Sequence, residues 1–466
     1  AGNFTLNATA NGAGLNNVTL MATHDISLTG NSTNGTGLQL NGTNTLTATN
    51  GSISLTGNST NGTGLFLGGN KTLSASNGSI NLTGSSTKGV GLYLGERNST
   101  NAFTATNGSI NLNGVSEAKN AIEIRGNNTF TAGNISLTGN STNQIGIDIQ
   151  GVNTLNVSNG SINLTGNSQK SAGLQLKGNT NTLTASNGSI SLTGHSDANI
   201  GVSLSGSSSW DATNITITGS SSWNGSSYNA DVYAGRGIQL EGNFTFTGNV
   251  AINGTGEAGA GVALRALVNL TFNNGTAVIN GTSTGRSVNY IYTSGIGDHA
   301  YIGETGIKNI ILNNSNLTLN GHSQNAAGIG GWSNGVTKTK WNISGNGNVT
   351  INGSSVGMDG FRTISINATG LNGSVALFGK STNGSGVNIT KTEMSNVTIS
   401  GSATGNGSGV VISGDNTLTN TTVSGNGTDG AGVSISGNLS NSGNSTVTGN
   451  ASGNGNGVNI SGNITD

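Results

Sequence analysis

The chain has no cysteine and no proline, few charges (7%) and few aromatics (4%). Each shortage excludes something. Without cysteine there are no disulfides and no thiolate metal sites. That fits export but does not require it. Disordered chains are usually rich in proline and charge, so the missing proline argues against disorder. A net charge of -1 leaves no footprint for nucleic acid. No Lys/Arg cluster suits an anionic lipid surface. No apolar run approaches the roughly 18 residues that would cross a bilayer. The chain opens at Ala1 without a basic and apolar leader.

What is abundant is glycine, 81 of 466 residues, together with Asn, Ser and Thr. The apolar residues among them recur regularly. The stretch Ile26-Ser27-Leu28-Thr29-Gly30-Asn31-Ser32-Thr33-Asn34-Gly35-Thr36-Gly37-Leu38-Gln39-Leu40 returns almost unchanged from Ile53 to Leu67, with Phe66 in place of Gln39. The unit starts again at Ile80, Ile110, Ile135, Ile162 and Ile190. A period of this length is that of a solenoid. Each unit holds three short pieces, exemplified by Ile53 to Gly57, Gly64 to Leu67 and Leu73 to Ala75. All three alternate apolar with polar, the period of a strand with one buried face. Asn-Gly and Thr-Gly pairs between them suit corners, because both Asn and Gly accept positive φ.

One such rung cannot bury its own apolar face, but stacked rungs can. The expected fold is therefore all-β: a right-handed parallel β-helix with three short strands per rung of about 22–30 residues and about sixteen rungs. Ile26, Ile53 and Ile80 should stack, as should Leu40, Leu67 and Leu94. Corner glycines are expected to recur at Gly219, Gly254, Gly281, Gly321, Gly353, Gly379, Gly401, Gly425 and Gly449. Residues 1–466 read as a single rod, roughly 75–80 Å long at about 4.8 Å per rung. Irregular spacing reads as loop insertions around 207–236, 286–308 and 330–341. Rung strands near both termini, at Asn3 to Leu6 and Gly457 to Gly462, suggest a segment of a longer fibre.

The unit Ile26 to Leu38 and the motif Gly457-Val458-Asn459-Ile460-Ser461-Gly462 resemble exoproteins of bacterial two-partner secretion, of the filamentous haemagglutinin and high-molecular-weight adhesin type. The resemblance covers the whole chain. It implies a secreted or bacterial cell-surface adhesin. It also implies export through an outer-membrane partner pore, attachment to a host-cell receptor or glycan, and no cofactor. The secretion domain of such proteins carries Asn-Pro-type motifs, so a chain without proline lacks that domain. Lateral self-association of rods through Thr/Asn faces is a further expectation.

Asn-x-Ser/Thr triplets number roughly 45. A repeat built of Asn, Gly, Ser and Thr generates many incidentally. The resemblance implies glycosylation on such triplets. The candidates are Asn31, Asn58, Asn140 and Asn388, with corner positions such as Asn31 and Asn58 preferred.

The larger aromatics are unevenly distributed. All four tryptophans, Trp210, Trp223, Trp332 and Trp341, and five of six tyrosines, Tyr228, Tyr233, Tyr290, Tyr292 and Tyr301, lie in the irregular stretch. Arg236 and His299 lie there too. The ordinary alternative is that these side chains fill small satellite cores. The functional reading is a lateral loop patch for receptor or glycan binding, since aromatics anchor recognition surfaces. A polysaccharide-active enzyme would need carboxylates, or Asp with Arg and Lys, on successive rungs. Glu241 and Glu257 are the nearest approach and occupy different rung positions. His24, His195, His299 and His322 lack metal-ligand spacing. The sequence therefore reads as a non-enzymatic adhesin. The alternatives are a polysaccharide-active β-helix enzyme or a purely structural fibre or biofilm stalk.

Overall fold

The computed structural model describes residues 2–9, 11–224, 235–285, 293–298, 306–331 and 339–465. All its regular elements are β-strands. They divide into two compact units, Ala1–Gly219 and Ser220–Asp466. The chain folds as a right-handed parallel β-solenoid of about 15 turns.

In the first unit, Ile26 pairs with Ile53, and the column continues through Ile80, Ile110, Ile135, Ile162 and Ile190. A second column runs Leu40, Leu67, Leu94, Ile124, Ile149 and Leu176. A third runs Leu46, Leu73, Phe103, Phe130, Leu155 and Leu183. All of these residues are buried. The strand Ile26–Ser32 alternates buried and half-buried along its length, so one parity faces inward and the other outward. Each aliphatic side chain buried in this way stabilises by about 1.5–3 kcal/mol. Phe103 and Phe130 stack at 5.0 Å and 10°.

The second unit repeats the arrangement. Ile252, Ile279, Leu319, Ile351, Leu377, Ile399 and Val423 form one column in register. The expected corner glycines stack beside it, from Gly254 through Gly281, Gly321, Gly353, Gly379, Gly401 and Gly425 to Gly449. Their role differs from the expectation. None of these eight adopts positive φ; glycine is required by space. A Cβ on Gly353 would lie 2.2 Å from the carbonyl oxygen of Gly360, just before the next strand of the rung, Phe361–Asn372. The rung is pinched at this column, and only glycine fits.

The third strands of the first unit carry a buried polar ladder. Asn101 Nδ2 donates to Asn128 Oδ1 (2.9 Å), Asn128 to Asn153 (2.9 Å) and Asn153 to Asn181 (3.0 Å). Lys71 occupies the same slot two rungs before Asn128. It is buried, and its Nζ donates to the carbonyl oxygens of Gly42 (2.7 Å), Asn70 (3.3 Å) and Gly68.

Rung strands also enter the three segments expected as insertions. Val202–Ser221 takes up the start of 207–236. Ile296–Asp298 and the first residues of Gly306–Asn313 fall within 286–308. Thr339–Asn346 includes the end of 330–341. Residues 225–234, 286–292, 299–305 and 332–338 lie outside the described residues.

Candidate binding groove

Strand parity decides where the expected site residues go. Trp210 and Trp341 face inward and are buried, as is Arg236, whose Nη1 donates to Gln239 Oε1 at 2.6 Å. Trp341 stacks between Lys308 and Ile366 in the interior of the second unit. Trp210 and Trp341 fill the core and Arg236 is buried as well, which corrects the expectation that these three lie on a surface patch. Trp223 is half-buried, with its ring against Gly235. Tyr228, Tyr233, Tyr290, Tyr292, His299, Tyr301 and Trp332 lie outside the described residues.

The glycosylation candidates face outward. Asn31 and Asn58 lie inside the strands Ile26–Ser32 and Ile53–Ser59, not on turns. Asn58 Nδ2 donates to Asn31 Oδ1 at 2.9 Å, forming a step of an outer ladder. Asn140 is exposed and accepts from Asn167 at 2.8 Å. Asn388 is half-buried and donates to Asp359 Oδ2 at 3.0 Å.

The glycine pinch creates a feature that sequence reasoning missed. Where the rung narrows, the outward residues on either side of each glycine become the walls of a groove along the stacking direction. In the second unit this groove has a volume of about 510 Å³. One wall is the column Asn280, Asn320, Asn352, Phe378 and Ser400; the other is Thr282, His322, Ser354, Lys380 and Ser402. From Gly281 to Gly401 it crosses four rung steps, about 19 Å at the usual strand spacing.

Its chemistry changes along its length. Asn280 donates to Asn253 (2.7 Å), Asn320 to Asn280 (2.8 Å) and Asn352 to Asn320 (2.8 Å). The ladder stops at Asn352 because Phe378 occupies the next slot. Phe378 is 43% exposed, an aromatic face set among amides and hydroxyls. Across the groove His322 Nδ1 lies 2.9 Å from Ser354 Oγ, and Lys380 stands one rung beyond. The lining contains no carboxylate. One signal was readable in the sequence. Among residues immediately preceding a corner glycine, Phe378 is the only aromatic.

Carboxylates on successive rungs do exist, contrary to the sequence reading. Glu123 and Asp148 are register neighbours. Both are buried. Arg125 Nε donates to Glu123 Oε1 at 2.6 Å, and Gln150 Nε2 to Asp148 Oδ2 at 2.7 Å. Burial pushes the Asp148 carboxyl above the ordinary carboxylate range. A pair covered and bonded in this way has no open side from which to reach a substrate. Among the described residues, no group of three or more His, Asp or Glu could hold a metal ion.

No protein-family model matches the chain, and no curated protein sequence matches it.

Proposed function

We propose that the chain is part of a bacterial secreted or cell-surface adhesin. In this reading the solenoid is a rigid scaffold, and the groove of the second unit takes an extended glycan chain of a host cell. The groove itself carries the proposal. It is linear, lined by amide and hydroxyl groups that match sugar hydroxyls, and it presents the exposed Phe378 ring as a stacking platform. The absence of a carboxylate from its lining favours retention of a bound chain over cleavage, which would need a positioned acid and base. Export through an outer-membrane partner pore rests on the resemblance of the repeat unit to two-partner-secretion exoproteins.

The test is attachment of the purified chain to host cells and to a glycan array, comparing the native sequence with Phe378→Ala and with His322→Ala. The expected result is at least about tenfold weaker binding for Phe378→Ala, corresponding to the loss of about 1.4 kcal/mol of stacking, with unchanged β-sheet circular dichroism. Undiminished binding by both variants would refute the groove as the site. Release of oligosaccharides from a bound polymer would refute the non-catalytic reading.

A further inference from the structure

A second groove lies in the first unit, where the chain turns from the second strand of each rung to the third. It has a volume of about 610 Å³, and three of the chain's 16 Lys and Arg residues line it: Arg97, Arg125 and Lys177. No carboxylate lines it. Three neutral side chains with N–H donors, Asn98, Asn127 and Gln150, complete the polar lining used here. Strand register fixes the arrangement. Ile124 stacks on Ile149, placing Arg125 beside Gln150, and Gln150 is in turn paired with Lys177. Arg125, Gln150 and Lys177 therefore stand at three consecutive rungs, about 4.8 Å apart. Arg97 and Lys177 are exposed. Arg125 is held from behind by Glu123, which fixes the direction of its guanidinium.

We propose that this groove binds an acidic polysaccharide, with sulfate or carboxylate groups seated against Arg97 and Lys177 and the intervening hydroxyls against Asn98, Asn127 and Gln150. Cations spaced along a linear concavity suit a polymer whose charges recur along its length. Neutral donors between them suit a polymer that is uncharged in between. In a chain with only 7% charged residues, Arg97 and Lys177 in one carboxylate-free groove, flanking the Glu123-paired Arg125, concentrate the attraction there.

The probes are dextran sulfate, polygalacturonate and neutral dextran, titrated into the whole chain at low salt and again at physiological salt. Dextran sulfate or polygalacturonate, or both, should bind, and the tighter of the two identifies the preferred anionic group. Neutral dextran should not bind at this groove. The double variant Arg97→Gln/Lys177→Gln should bind the preferred polyanion about tenfold more weakly and with a shallower salt dependence. The control Lys119→Gln/Lys170→Gln removes the same charge from exposed positions of the same unit; it should change binding less than about twofold. All four substituted side chains are exposed, so the variants should retain native circular dichroism. Equal losses in the two double variants would reduce the effect to net charge and overturn the site, as would failure of both polyanions to bind.

Discussion

Replacing Asn128 with alanine tests the physical basis of the stack directly. Its side chain is 2% exposed and makes three hydrogen bonds: it accepts from Asn101 (2.9 Å) and donates to Asn153 Oδ1 (2.9 Å) and to the Arg125 carbonyl (3.1 Å). Truncation strands two ladder neighbours. Asn153 Oδ1 loses its donor. Asn101 Nδ2 loses its acceptor and keeps only Ser99 Oγ at 3.2 Å. A buried polar group left without a partner costs about 1–3 kcal/mol, so the sum over the two is about 2–5 kcal/mol after allowing for that residual bond. The matched control is Asn61→Ala. Asn61 donates to Asn34 at 2.9 Å in an outer, exposed ladder, and water replaces that bond at a cost of about 0.5 kcal/mol. Because stacked rungs can open locally, amide hydrogen exchange over the rungs around residues 122–157 is the appropriate assay, with denaturant melts alongside. Equal effects of the two substitutions, both under about 1 kcal/mol, would show that burial does not set the strength of these ladders.

Four further outcomes follow from the same geometry. Burial lowers the Lys71 ammonium from 10.5 to about 8, so between those values the unfolded chain binds more protons than the folded one. Stability should therefore rise as pH climbs from about 8 to 10.5, by at most about 3 kcal/mol, and Lys71→Gln should abolish the rise in melts run across that range. The Asp148 carboxyl is shifted the other way; the folded chain holds a proton that the unfolded chain has released, so stability falls as pH rises from 3.8 through the raised value. Asp148→Asn should flatten that limb and raise stability at neutral pH, read from the same melts. Gly353→Ala should cost more than about 3 kcal/mol because the new methyl meets backbone that cannot move aside, whereas Gly14→Ala, with nothing within 4 Å of its Cβ, should cost under about 1 kcal/mol. Intact mass of natively produced protein should exceed that of the bare chain if outward sites such as Asn58 and Asn140 carry sugar; a mass equal to the bare chain would end that reading.

The sequence made the ladders readable because their slots are filled by near-identical residues. Ile26, Ile53 and Ile80 align by inspection, and register follows from the alignment. The corner glycines were readable for the same reason, although their physical role was not. Nothing in the letters separates a glycine needed for positive φ, such as Gly126 at 83°, from one needed because a carbonyl lies where Cβ would be, such as Gly57. The tryptophans misled because irregular spacing suggested loops, while parity within a strand decides which side a residue faces. Trp341-Asn342-Ile343 is an alternating strand, and its outer residue is Asn342. The Glu123–Asp148 pair was hidden by unequal rung lengths, although Leu92-Tyr93-Leu94, Ile122-Glu123-Ile124 and Ile147-Asp148-Ile149 occupy one slot.

Unequal constraint on the two strand faces explains why a site is hard to see in such a chain. Inward slots repeat the same kind of residue on nearly every rung, aliphatic, glycine, serine or asparagine according to the column, so they dominate the repeat. Outward slots are free to vary, and their variation carries information only after register is known. The slot before the corner glycine shows this. In the first unit it reads Thr29, Thr56, Thr83, Asn113, Thr138, Thr165 and Thr193. In the second it reads Asn253, Asn280, Asn320, Asn352, Phe378 and Ser400. In each unit a stacked column of glycines makes the bend. A bend that every rung shares cannot by itself select a ligand. Selection requires that one unit depart from its repeat where the bend exposes side chains, and the change from asparagine ladder to phenylalanine between Asn352 and Phe378 is such a departure.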